Sequence, residues 1–193
     1  GIDFMVSKIT IEYKRPLRGS DRFAVRINMV RKGAKLVTKV ILASGSPRRK
    51  EILQLIGVNF EVVVSNEEEK PTSTNPLDFP KENASIKALA VSRKMPSEIV
   101  LGFDTLVFLD GKPLGKPHSE AEALEMLTKL NGRSHKVITG VAIAHGGQII
   151  KAECEETEVV FRNCSKQELE KYVNSRAGCT VLPFKMAATR IMS

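Results

Sequence analysis

The sequence predicts an α/β fold, with a mixed central sheet flanked by helices. Three observations predict it. From Lys39 onward, short apolar runs alternate with stretches of helical periodicity. Helix starts are marked chemically: Ser46-Pro47 places a capping hydroxyl before a first-turn proline, and Ser119/Glu122 and Ser165/Glu168 have capping-box spacing. Asp110-Gly111 and Gly146-Gly147 are dipeptides that reverse a chain between strands.

The elements follow in order. Ile9, Ile11 and Tyr13 alternate on one strand face, and Phe23, Val25, Ile27 and Met29 on another, with turn residues from Pro16 to Asp21 between them. Such a hairpin is marginal in water unless it packs on something. Residues 1–38 therefore read as a basic β-hairpin extension, and 39–193 as the main domain. The run from Ile9 to Ile27 also resembles a strand pair of hot-dog-fold thioesterases, without their catalytic helix. Val40 to Ala43 is an apolar strand entering the turn Ser44-Gly45-Ser46-Pro47. Ile52, Leu53 and Ile56 give the next helix its stripe, and Gly57 is placed to end it. Phe60 to Val64 is a strand, and a second helix covers roughly Lys81 to Lys94. Ile99 to Phe103 and Leu106 to Leu109 read as two strands separated by polar residues. A third helix from Ser119 buries Leu124, Leu127 and Leu130. Val137 to Ala144 and Ile149 to Phe161 form a long hairpin, and a helix with Leu169 and Tyr172 follows.

Composition narrows the function classes. With 193 residues, 42 % hydrophobic and 27 % charged, the chain has the size and balance of one domain plus an appendage. No apolar run approaches the roughly 18 residues of a membrane span, and Gly1 to Thr10 is not expected to be a secretory signal. Three cysteines (Cys154, Cys164, Cys179) without C-x-x-C spacing argue against a disulfide framework or zinc site and fit the reducing cytoplasm. The net charge is +8, but residues 1–39 hold ten Lys or Arg against three acids. The excess is thus almost wholly N-terminal, and neither nucleic acid nor membrane is expected as a partner of the body.

Four places carry chemistry. Ser44 to Arg49, S-G-S-P-R-R, is a strand, a tight turn and a helix N-terminus bearing two hydroxyls and two guanidiniums. Unsatisfied N–H groups and the helix dipole favour an anion there, and guanidiniums match phosphate oxygens. A capped helix with two solvated arginines is the plain alternative. Gly102 to Thr105, G-F-D-T, puts a carboxylate at a strand end, suited to a hard cation or to accepting a proton from water. Glu67 to Glu69 form an acidic cluster, which as a bare run is a solvated loop. Lys87 on a helix and Lys116 in a loop could meet phosphate, or be surface side chains.

The order of these features is more specific than any one of them. S-G-S-P-R-R, Glu68-Glu69, Lys87-Ala88, Gly102 to Thr105, Leu114 to Pro117, Leu130 to Val141 and Thr157 to Phe161 follow the sequence of motifs in the Maf family of nucleotide pyrophosphatases. The resemblance covers residues 39 to about 175. It implies a Maf/ITPase-like fold and an enzyme that hydrolyses nucleoside triphosphates to monophosphate and pyrophosphate with Mg²⁺ or Mn²⁺. Carried over position by position, Ser44, Ser46, Arg48, Arg49 and Thr105 would bind substrate. Asp104 and Glu69 would engage the metal or the attacking water, with Asp104 the stronger general base. Lys87 and Lys116 would neutralise charge on the α-phosphate and the leaving pyrophosphate. SPRR with G-x-D-T resembles the branch acting on dTTP and UTP; the 7-methyl-GTP branch has SPWR and G-S-D-Q. House-cleaning of non-standard nucleotides is the implied role, and the resemblance allows a homodimer.

Two departures stand out. Phe103 occupies a position where the family has a small residue. After Tyr172-Val173 the family continues D-K-A-G-x-Y-G-I-Q-G, whereas this chain reads N-S-R-A-G-C-T-V-L-P, so the domain is expected to be incomplete after about residue 175. A catalytically inactive nucleotide- or partner-binding isoform is the alternative this leaves open.

Overall fold

The computed structural model describes residues 4–12, 24–31, 39–55 and 57–174, the first two stretches as backbone only. β1 (Phe4–Glu12) and β2 (Ala24–Arg31) pair antiparallel, from Phe4 opposite Arg31 to Glu12 opposite Ala24, with a register shift between Val6 and Lys8. The expected hairpin strands are therefore present. Tyr13, Phe23 and the turn from Pro16 to Asp21 lie outside the described residues, as do Ile56 and everything after Asn174.

Among the described residues the main sheet has six strands: β3 (Val40–Leu42), β4 (Phe60–Val62), β5 (Ile99–Leu109), β6 (Lys112–Leu114), β7 (Ser134–His145) and β8 (Gln148–Val160). Their order is β4-β3-β5-β7-β8, with β6 on β5. β3 runs parallel to both β4 and β5, and β6 runs antiparallel to β5, so the sheet is mixed as the sequence predicts. The helices are α1 (Pro47–Leu55), α2 (Phe79–Lys94), α3 (Glu120–Leu130) and α4 (Lys166–Asn174).

The chain divides into two compact units. One holds Asn83–Phe103, Val141–Ala152 and the described residues up to Lys70; the other holds Pro71–Glu82, Asp104–Gly140 and the described residues from Glu153. In the first, Ile41, Ala43 and Val100 pack on Ala84, Ala88 and Val91 of α2, and Val40, Leu42, Leu101 and Ile143 surround Leu53 of α1. In the second, Leu127 and Leu130 of α3 meet Leu109, Val159, Phe161 and Leu169 of α4. Leu124, expected in the core, is partly buried at its margin.

Sequence punctuation sets the ends of these elements. Gly57, at φ 72°, ends α1: its N–H donates to Gln54 O and that of Val58 to Leu53 O, the paired bonds of a Schellman close. Ser119 caps α3 by accepting from Glu122 N at 3.1 Å, while the Glu122 carboxylate accepts from His118 N. Ser165 and Glu168 form the full reciprocal box, joined by Arg162 at 2.9 Å. The Ser165 N–H, then Arg162 and the Ser165 hydroxyl, hold the Glu168 carboxyl at about 2. Asp110 and Gly111, at φ 51° and 74°, make the left-handed pair that a two-residue hairpin turn needs. Gly146 and Gly147, at 60° and 73°, do the same between β7 and β8.

Two expectations change. α2 starts at Phe79, two residues early, because a 3-10 turn over Pro76–Asp78, capped by the Asn75 side chain at Leu77 N, leads into it. More consequentially, the two strands expected on either side of G-F-D-T are one. β5 runs unbroken from Ile99 to Leu109, and Asp104 lies in its middle rather than at its end. Gly and Asp are poor strand formers, so their presence reads as a break. Here packing overrides propensity. A Cβ on Gly102 would lie 2.9 Å from the Ala88 Cβ and closer still to the Ala84 carbonyl oxygen, so glycine is what lets α2 lie directly on the strand.

Candidate active site

The S-G-S-P-R-R segment forms the structure expected of it. The Ser46 carbonyl accepts from Lys50 N at 3.3 Å, which makes Ser46 the residue at the head of α1 and Pro47 its first helical position. Ser44 is 6 % exposed, and its hydroxyl is occupied within the loop. It accepts from Ser46 N at 3.3 Å and from Arg49 Nη1 at 2.8 Å. The Arg49 guanidinium also lies over the Phe103 ring, 5.7 Å from its centroid. Arg48 is exposed and approaches Glu51, one turn along, at 4.0 Å. The two arginines thus differ in exposure: Arg49 is half-buried and Arg48 faces solvent.

Glu69 and Lys87, expected as separate actors, form one cluster. Lys87 Nζ meets Glu69 Oε1 at 2.7 Å, and Asn83 Nδ2 reaches Glu69 Oε2 at 3.4 Å. Lys87 is largely sheltered, at 15 % side-chain exposure, although a helix lysine is ordinarily a surface group. Asn83 is buried and was not anticipated. Its signal was present: Asn83 and Lys87 are four apart, so both project from the same face of α2 beside the Ala84-Ala88-Val91 stripe. Glu67 and Glu68 remain exposed, Glu68 pairing with Lys70.

The remaining predicted residues belong to the second unit. Asp104 is 6 % exposed on β5. Thr105 points to the opposite face, is exposed, and shares a 3.1 Å hydrogen bond with the Thr139 hydroxyl of β7. Lys116 is exposed in the loop after β6. That loop hangs from a hairpin turn gripped from outside: Arg133 donates to both Asp110 carboxylate oxygens, at 2.7 and 2.9 Å. His135, inside the L-x-G-R-x-H-x-V motif, is a core residue. It is 4 % exposed and meets the Phe161 ring edge-on, with centroids 4.6 Å apart.

Burial depresses the His135 imidazole below its ordinary 6.5, opposed by a backbone hydrogen bond to Arg133. Between that lowered value and 6.5 the unfolded chain binds the proton better, so His135 makes the protein lose stability as pH falls through this window. His135→Leu is expected to flatten the decline in Tm between pH 7.5 and 5. An unchanged slope would place the acid sensitivity elsewhere.

The donor set can be tested against a divalent ion. Among the described residues no three His, Cys, Asp or Glu side chains gather around one point. Mg²⁺ is usually held by one or two carboxylates, with substrate phosphates and water completing its shell. Glu69 in the first unit and Asp104 in the second are each an oxygen donor of the kind Mg²⁺ takes.

The chain is an α/β protein with a mixed sheet, carrying an arginine-bearing helix N-terminus and a lysine–carboxylate cluster in the first unit and a buried strand carboxylate in the second. More particularly, the chain belongs to the family described as Maf-like protein, which it matches over residues 39–188. The match runs past residue 175, where the motif-by-motif resemblance stops. A dTTP/UTP pyrophosphatase of Bacillus cereus is 46 % identical over 148 residues, covering 76 % of this chain and 72 % of that protein. A dTTP/UTP pyrophosphatase of Akkermansia muciniphila is 45 % identical over 139 residues, covering 72 % and 73 %. Among solved structures, a HAM1 protein from Coxiella burnetii aligns with a TM-score of 0.48 at 18 % identity, over 65 % of this chain and 73 % of that one. No helix of the described residues is long and apolar enough to cross a membrane.

Proposed function

We propose that this chain is a nucleoside triphosphate pyrophosphatase that hydrolyses dTTP and UTP to the monophosphate and pyrophosphate. The observation that carries this reading is the anchored Arg49 at the head of α1, in a chain 46 % identical to a dTTP/UTP pyrophosphatase. The working domain starts at residue 39, where the family match starts, and residues 1–38, which carry β1 and β2, are a basic extension of it. Removal of non-standard nucleotides in the cytoplasm is the role this activity suits.

In this reading Arg49, with Arg48, receives the triphosphate at the helix N-terminus. Asp104 accepts the proton of the attacking water as its oxygen bonds to the α-phosphorus, and the bond from that phosphorus to the bridging oxygen of the β-phosphate breaks. Lys87, kept in place by Glu69 and Asn83, offsets charge on the phosphates, and exposed Lys116 meets the leaving pyrophosphate. Asp104 and Glu69 are the residues that would hold Mg²⁺ or Mn²⁺. When bound, the metal would supply charge neutralisation on the phosphoryl oxygens. This division suits a reaction in which positioning and charge stabilisation dominate.

Pyrophosphate release from dTTP, UTP and 7-methyl-GTP, with Mg²⁺ or Mn²⁺, tests the proposal. Turnover is expected with dTTP and UTP and much less with 7-methyl-GTP. A cooperatively melting protein that binds triphosphate and releases nothing would instead be a nucleotide-binding relative without chemistry.

A further inference from the structure

We infer that Phe103 is a positioning residue for Arg49, a platform that fixes the phosphate-binding guanidinium before substrate arrives; the inference rests on the pyrophosphatase reading. The geometry is a two-point hold. The guanidinium lies over the ring at 5.7 Å, inside the range of cation–π attraction, and one of its N–H groups donates to Ser44 Oγ at 2.8 Å. Both supports are themselves fixed. Ser44 is buried, and its oxygen also takes the Ser46 N–H, which ties it to the start of α1. Phe103 lies in β5 and packs against the cluster of Leu42, Leu53 and Leu101, which backs its ring.

An arginine side chain has many rotamers, and ordering it at the moment of binding weakens binding. A guanidinium already laid on an aromatic face and held by the Ser44 hydroxyl loses less, and binds more tightly for that reason. The competing explanation is that Phe103 only fills space against Leu42 and Leu101, in which case any apolar side chain of similar size would serve.

The test separates the two. Steady-state kinetics with UTP, and calorimetric binding of inorganic tripolyphosphate with Mg²⁺, are measured for wild type, Phe103→Leu, Phe103→Tyr, Arg49→Ala and the Phe103→Leu/Arg49→Ala double variant. Phe103→Leu keeps apolar bulk and removes the π face. It is expected to raise KM and the tripolyphosphate Kd about 3- to 10-fold, with kcat moving less. Phe103→Tyr restores the wild-type values, and Phe103→Leu has no further effect once Arg49 is alanine. If Phe103→Leu fails to melt cooperatively, Phe103→Met is read in its place. Unchanged binding in the leucine variant, or an equal loss in the Arg49→Ala background, overturns the inference. Wild type that binds tripolyphosphate but does not hydrolyse UTP refutes the proposed function alone, because the binding comparison still decides the role of Phe103.

Discussion

Asp104→Asn is expected to lower pyrophosphate release from dTTP and UTP by roughly 10²- to 10⁴-fold, the usual contribution of a positioned general base. The substitution keeps shape and volume in a position that is 6 % exposed, so cooperative melting should survive. It removes the negative charge, which weakens the group both as a proton acceptor and as a ligand for a hard cation. Two measurements divide those roles. If raising Mn²⁺ restores much of the rate, the loss lies mainly in metal binding; a rate that stays low at saturating metal assigns proton acceptance. A folded variant retaining wild-type turnover would remove Asp104 from the chemistry and shift attention to Glu69.

The second large effect concerns stability. Gly102→Ala places a methyl group 2.9 Å from the Ala88 Cβ and nearer still to the Ala84 carbonyl, which is helix backbone and cannot rotate away. Relief requires α2 to move off β5. Overpacking of this kind costs about 3 kcal/mol, a Tm loss on the order of 6–12 °C for a chain this size. Because α2 carries Asn83 and Lys87, the same shift should disturb their cluster with Glu69 and lower activity at temperatures where the protein is still folded. Thermal melts with activity measured at 25 °C check both. A variant as stable as wild type would mean that α2 can slide without penalty, contrary to the burial of Ala84, Ala88 and Val91. Gly140, whose Cβ would lie 2.5 Å from Lys81 N, is an analogous close approach to the start of α2 within the second unit.

Much of the fold was legible because it is written in local chemistry. The caps at Ser119 and Ser165, the stop at Gly57 and the turns at Asp110-Gly111 and Gly146-Gly147 each act over four or five residues. Their signals therefore survive in the sequence alone. The same holds for the anion-suited start of α1, since a hydroxyl, a proline and two arginines in a row constrain one helix end.

What misled was the stretch whose logic is non-local. Gly102 and Asp104 look like a strand break when judged by propensity. Only the helix lying on Gly102 explains why an 11-residue strand passes through them. Likewise Glu69 read as a solvated acid and Lys87 as a surface lysine, because the partner that defines each is eighteen residues away along the chain. Phe103 stood out in the sequence only as a large residue where the family has a small one; the guanidinium over its ring appears only in the fold. His135, inside a family motif, proved to be a core residue packed on Phe161.

The sequence by itself determined the α/β class, the element order, most helix ends and the family. The tertiary structure decided which charged groups pair, which of two adjacent arginines is half-buried, and that the carboxylate stands within a strand. The physical reason is range: caps, turns and periodicity act between near neighbours, whereas burial, ion pairing and close helix–strand approach join residues that only folding brings together.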